Sequence, residues 1–239
     1  MTTRTIRRLD TPSEFQSERV NDETVFVIID VISFSSTVVT LMEYGVDEVV
    51  PAYTDDELEE LRLMDEIVIG GEPRSDVEVD FTNSPQNVHS VFGLYDTVPE
   101  RVALTSSNGA RRAIESYEET ENVDAEIVIG SAMNAGAVGE WINENYPSYD
   151  VLLFCAGSGG EVAVEDVMGA TVIGQELRGE TVPSQMGSLI NQLPIERVGS
   201  EDIYPWLSDE DLHHISNVSS SSIVPHVDVE SGSIVREEV

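Results

Sequence analysis

The chain has 239 residues, 40% of them hydrophobic, and sets 46 acidic side chains against 12 basic ones, a formal charge of −34. Apolar residues in strand-like blocks exclude a disordered polyanion, and the shortage of cations excludes nucleic acid and anionic membranes, which are bound through clustered Lys and Arg. Every basic residue is arginine.

At about 1 M salt the Debye length falls to about 3 Å, so such self-repulsion is screened and the acidity reads as halophilic adaptation. No run reaches transmembrane length, and MTTRTIRRLD lacks the apolar core of a signal peptide, so a soluble cytoplasmic protein is expected. The only cysteine, Cys155, ends an apolar strand and reads as a buried structural thiol. The length suits one α/β domain over residues 1–239, with two lobes, 1–120 and 121–239, as the alternative.

In chain order, Thr5 to Leu9 is a first edge strand, followed by a connection. Val25 to Val31, VFVIIDV, is a buried strand ending in Asp30, an acid whose burial is costly unless it faces a cleft and finds a partner. Ser33, Ser35, Ser36 and Thr37 are placed to cap a helix that runs through Val38 to Glu43 and stops at Gly45. Capping alone is one reading of these hydroxyls; holding a phosphate beside Asp30 is the other. Val46 to Ala52 is a strand, and Asp55 to Met64 an acidic helix with Leu58, Leu61 and Leu63 toward the core. Glu66 to Ile69 is a strand leading to GGEPR, where Glu72 repeats the pattern of an acid at a strand end. Arg74 follows, either paired with surface acids or holding an anionic substrate.

TNSP, Thr82 to Pro85, reads as an ordered loop in which Asn83 has a structural or a functional role. Arg101 to Leu104 is a strand feeding TSSNGARRAIE, and Ile127 to Ile129 a strand feeding GSAMNAGAVGEWI; each polar turn opens a helix whose free N–H groups favour anions. Several such turns on successive parallel strands are expected to share one sheet edge.

The stretch DVLLFCAGSGGEVAVEDVMGA, Asp150 to Ala170, combines all of this. Val151 to Cys155 is a strand, AGSGG a tight turn, and Glu161 to Met168 the start of a helix running to about Arg178. Glu165 and Asp166, a turn into that helix, are adjacent carboxylates beside an anion-favouring loop, and the simplest way to hold them is a hard, oxygen-liking cation such as Mg²⁺. Beyond residue 178, His213 and His214 read as helix-surface residues, Ser219 to Ser222 as a loop and Asp228 to Val235 as a closing hairpin.

These blocks, IIDVISFSSTVVT, GGEPR, TNSP, TSSNGARRAI, GSAMNAGAV and CAGSGGEVAVEDVMGA, resemble in order and spacing the 2-phosphosulfolactate phosphatase (ComB) family of coenzyme M biosynthesis. The resemblance implies a layered α/β/α fold with a largely parallel sheet. It also implies Mg²⁺-dependent hydrolysis of (R)-2-phospho-3-sulfolactate to 3-sulfolactate and phosphate. On it, Asp30, Glu72 and Asp166 are the catalytic candidates, and Asp30, Glu165 and Asp166 the metal ligands. Ser36, Arg74, Asn83, Ser107, Asn108, Ser131 and Asn134 are the candidates for binding a small anionic phosphomonoester. Two departures stand out: Ser33 occupies the place of a family arginine, and the arginine of Gly-Glu-Arg is displaced by Pro73 to Arg74. A guanidinium grips phosphate or sulfonate in a fork that serine cannot copy. A phosphatase for another small phosphorylated acid, and a non-catalytic anion-binding relative, are therefore the alternatives. A homodimer is left open.

Overall fold

A computed structural model describes residues 4–17, 21–64, 67–72, 78–94, 97–120, 123–198 and 206–236. Its elements are β1 (Ile6–Leu9), α1 (Pro12–Ser17), β2 (Thr24–Ile29), α2 (Phe34–Glu43), β3 (Glu48–Ala52), α3 (Asp55–Arg62), β4 (Val68–Gly71), β5 (Phe81–Thr82), α4 (Pro85–Phe92) and β6 (Arg101–Thr105). There follow α5 (Gly109–Thr120), β7 (Ala125–Gly130), α6 (Ala135–Asn145), β8 (Asp150–Cys155), α7 (Val164–Leu177), α8 (Met186–Val198), α9 (Asp209–Ile215), β9 (Pro225–Val227) and β10 (Ile234–Arg236). All ten strands form one sheet in the order β1-β8-β2-β7-β9-β10-β3-β6-β4-β5. It is the expected mixed α/β architecture: a mostly parallel sheet with helices on its faces.

Period-two alternation explains the unbroken apolar run of β2, all six of whose residues are buried. Phe26 and Ile28 face a core shared with Phe34, Val38 and Leu41 of α2 and with Val102 and Leu104 of β6. Val25, Val27 and Ile29 face the opposite core, built with Val138 of α6 and Val172 and Ile173 of α7. Each such side chain contributes about 1.5–3 kcal/mol by leaving water, and both faces of the strand do so.

The sheet is not one parallel series with a shared edge, as the repeated strand and turn units suggested. β1, β8, β2 and β7 are mutually parallel, and so are β3, β6, β4 and β5. Between the two sets lies the β9–β10 hairpin, joined by antiparallel pairings to β7, within itself and to β3, so the sets run in opposite senses. In a flat sheet the strand ends of β2 and β6 would lie at opposite edges. Five neighbour steps separate them. At about 20–25° of twist per step, the far set is turned by roughly 100–125°, which allows the two sets of polar turns to meet. The hairpin expected to close the chain is thus the central joint of the sheet, and β2 pairs over its full length with β7 and β8, which lie beyond residue 120.

Other expectations are revised locally. Leu58 and Leu61 are buried, but Leu63 is 87% exposed, because α3 ends at Arg62 and Leu63 is its C-cap. Three helices appear that apolar periodicity did not announce: α1, where a connection was expected, α4, started by Ser84 as N-cap with Pro85 in its first turn, and α8. His213 is exposed as expected, whereas His214 is half-buried, its ring edge-on to His89 of α4 at 4.9 Å. Burial holds the His214 imidazole below its usual pKa. Among the described residues no helix is long and apolar enough to cross a membrane.

Candidate active site

The loop after β2 is built around Asp30. The N–H of Asp30 donates to Ser35 Oγ at 3.0 Å, and the N–H of Ser35 returns to the Asp30 carbonyl at 2.9 Å. The hydroxyls expected to cap α2 do not: Ser33, its N-cap, makes no side-chain cap bond. Ser36 Oγ reaches back to the Val31 carbonyl and pairs with Ser131 Oγ, both at 2.8 Å. Asn134 Oδ1 accepts from the Ser131 N–H at 2.7 Å, while Nδ2 donates to the carbonyls of Ile129 and Ile223. Ser36, Ser131 and Asn134 are fully buried, and their polar atoms are committed to the frame. They fix the loops after β2 and β7 to one another, and no free donor is left for the substrate-facing role expected of them.

Asp30 itself is 3% exposed. Its Oδ2 accepts the N–H of Gly109, the first residue of α5, at 2.8 Å. The same N–H lies 3.2 Å from Ser106 Oγ, which also accepts from the N–H of Asn108 at 3.3 Å. Only glycine fits at 109: a Cβ there would lie 2.5 Å from Phe34 Cβ and 2.6 Å from Asp30 Oδ2. Ser106 and Gly109 were not among the sequence candidates, although an Asn-Gly step at a helix start invites close backbone approach.

On the other side, Asp166 lies in the first turn of α7, which starts at Val164 rather than at Glu161. Residues Ser158 and Glu161 bridge to each other across a tight turn in which Gly159 and Gly160 have positive φ, and this delays the helix. Asp166 Oδ1 accepts from the Val31 N–H at 2.8 Å and Oδ2 from the Gly157 N–H at 3.0 Å. It therefore staples the loop after β2 to the loop after β8. Glu165, beside it, is 3% exposed. Glu72, at the end of β4, receives Ser107 Oγ at 3.1 Å and the Ser107 N–H at 3.4 Å.

Two of these acids are perturbed by their neighbours. Asp30 is held up at about 7, first by burial, then by the charges of Glu72 and Glu165, while the N–H groups of Gly109 and Phe34 act the other way. Asp166 is raised by burial and then by Asp30 and Glu165. Asp30, just after β2, thus lies within electrostatic reach of Glu72, just after β4, and of Glu165 and Asp166 in α7. Among the described residues no group of three or more His, Cys, Asp or Glu side chains is disposed to hold a metal ion. The donor chemistry fits a hard cation nonetheless: all-oxygen and mutually repelling. Mg²⁺ in phosphoryl-transfer sites takes only one or two carboxylates, with waters and substrate oxygens completing its shell.

Of the remaining candidates, Ser107 is exposed, Asn108 half-exposed and Asn83 buried with its Oδ1 unpartnered. The Asn83 N–H donates to the Gly71 carbonyl at 2.9 Å, one residue before Glu72. Thr105 Oγ1, at the end of β6, is a second buried polar atom without a partner, and its Cγ2 packs against Gly71. Arg74 lies outside the described residues. Cys155 is buried, its thiol pKa pushed up by desolvation and next by Asp166, which rules out a reactive thiolate.

Comparison with known proteins places the chain among relatives of one named kind. A probable 2-phosphosulfolactate phosphatase of Clostridium acetobutylicum is 29% identical over 157 residues, 64% of this chain and 62% of the relative. One of Thermotoga maritima is 30% identical over 154 residues, again 64% and 62%. One of Caldanaerobacter subterraneus subsp. tengcongensis is 28% identical over 165 residues, 65% and 62%. The matched stretch thus spans about 62% of these relatives' length. The model of the 2-phosphosulpholactate phosphatase family matches residues 9–228, and the chain belongs to that family.

Proposed function

We propose that this protein is a Mg²⁺-dependent phosphatase that hydrolyses (R)-2-phospho-3-sulfolactate to 3-sulfolactate and phosphate. The observation that carries this reading is the convergence of Asp30, Glu72, Glu165 and Asp166 beside the amino end of α5. An anion binder gains nothing from such acids; a phosphomonoesterase uses them to gather a cation against a dianionic ester and to activate water.

Asp30 and Glu165 would hold the metal, and Asp166 keeps both loops in position through its two main-chain hydrogen bonds. When bound, Mg²⁺ neutralises phosphoryl oxygens that otherwise repel a nucleophile. Glu72 takes the proton of the attacking water. Asn108, just before α5, donates to the phosphoryl group through its side-chain amide, Ser107 holds Glu72 in place through its two hydrogen bonds, and Arg74 is assigned to the second anionic group of the substrate.

A second reading, another small phosphorylated acid, is favoured by Ser33, a neutral, buried side chain on the loop after Asp30. The test is phosphate release in molar salt, with and without Mg²⁺, from phosphosulfolactate and phospholactate. Release from the first, abolished by EDTA, is expected. Preference for phospholactate selects the second reading, and no release from either by the folded protein rejects both.

A further inference from the structure

Cations are scarce here, 12 against 46 acids. Arg7, Arg8 and Arg178 nonetheless line one cavity of about 280 Å³, together with Thr171, Gln175 and a single acid, Glu180. The local balance of charge is the reverse of that of the molecule.

The cavity lies between the edge strand β1 and the carboxyl-terminal half of α7. Arg178, exposed at the C-cap of α7, is anchored at one nitrogen: its Nη1 donates to the Gly174 carbonyl at 2.7 Å. The bare Gly174 makes room for it, since a Cβ there would sit 3.2 Å from Nη1 and 3.4 Å from Leu153 Cδ1. Among the described residues no acid forms an ion pair with Arg178. Arg8 is pinned by Asp10, at 2.5 and 3.2 Å, which turns its Nη1 toward Thr171 Oγ1 at 3.4 Å. Gln175 Oε1 is buried without a partner, and a half-turn of the amide would present N–H donors at the same point. Gln175 is nine residues beyond Asp166, about 13 Å along the helix, so this cavity is separate from the acidic site.

A guanidinium anchored at one nitrogen and paired with no acid among the described residues, a second held in place beside it and an unsatisfied amide match a planar oxyanion. We infer that this cavity binds a small anion bearing carboxylate or phosphate oxygens, gripped chiefly by Arg178.

The test is a titration of the ¹⁵N-labelled protein with inorganic phosphate, and separately with malonate, at ionic strength held constant with KCl. Saturable shifts of the Thr171, Gly174 and Gln175 amides are expected with at least one of the two, and the stronger identifies phosphate or carboxylate. Arg178→Gln should weaken that binding by about tenfold or more. Gly174→Ala, which keeps every charge but crowds the guanidinium, should weaken it too and serves if Arg178→Gln does not fold. Absence of saturable shifts at these amides with both anions, or the same midpoint in the folded variants, would overturn the assignment. Shifts confined to Gly109 and Gly157 would overturn it as well, because they report the acidic site.

Discussion

The Gly109 N–H donates to Asp30 Oδ2 at 2.8 Å, and this one bond ties the end of β2 to the start of α5 across two strand sets of opposite sense. It gives Gly109 a role that a bulkier residue cannot fill. In Gly109→Ala the new methyl would lie 2.5 Å from Phe34 Cβ and 2.6 Å from the carboxylate oxygen, so α5 must retreat. We expect a loss of about 1–3 kcal/mol in urea unfolding, as for other overpacked sites, and at least about tenfold in kcat/KM. Wild-type activity in this variant would show that the contact is dispensable.

Asp30 makes stability depend on pH with a definite sign. Unfolded, it gives up its proton near its ordinary pKa of about 3.9; folded, near 7. Between those values the native chain keeps a proton that the unfolded chain has lost, so stability contributed at low pH falls as pH rises and levels off above about 7. In EDTA, denaturation midpoints should therefore drop from pH 4 to 7, and Asp30→Asn should flatten the slope. Mg²⁺ should raise the midpoint more at pH 8 than at pH 5, because it binds the ionised form. Glu72→Gln removes the largest charge acting on Asp30, so the Asp30 carboxyl should titrate at lower pH when followed by ¹³C NMR in EDTA.

Much of this site could be read from residue order. A β-branched run ending in an acid announced Asp30, and a glycine turn opening a helix announced Glu165 and Asp166, because strand ends and helix starts are local properties. How the ends meet is not local: it depends on a hairpin of residues 225–236 inserting between β7 and β3, and neighbour order in a sheet leaves no periodicity in the chain. The same limit hid the commitment of Ser36, Ser131 and Asn134 to the frame. A polar side chain after a strand looks the same whether it faces a ligand or another loop. Leu63 illustrates the opposite error, where apolar spacing was followed one residue past the end of a helix.

Cys155 provides a test of burial. The side chain is enclosed and its thiol is pushed up by desolvation, so the nucleophilic thiolate is absent at neutral pH. Iodoacetamide at pH 8 should leave native protein unlabelled and fully active, and should label it only as fast as it unfolds. Labelling of native protein with parallel loss of phosphate release would contradict both the burial and the exclusion of thiol chemistry.

Asp166 differs from Asp30 in what its charge does. Both of its oxygens accept main-chain N–H groups, Val31 at 2.8 Å and Gly157 at 3.0 Å, so its carboxylate orders two loops. Asparagine is nearly isosteric but has one acceptor, and its amide group must face one of those N–H donors. Leaving a buried donor unsatisfied costs about 1–3 kcal/mol, so Asp166→Asn should be markedly less stable than Asp30→Asn at neutral pH. Hydrogen exchange distinguishes the mechanisms: in Asp166→Asn the Val31 and Gly157 amides should lose protection together, while in Asp30→Asn the loss should be confined to Gly109. If Asp166→Asn keeps both amides protected yet abolishes phosphate release, Asp166 acts on the reacting groups directly and the staple is incidental.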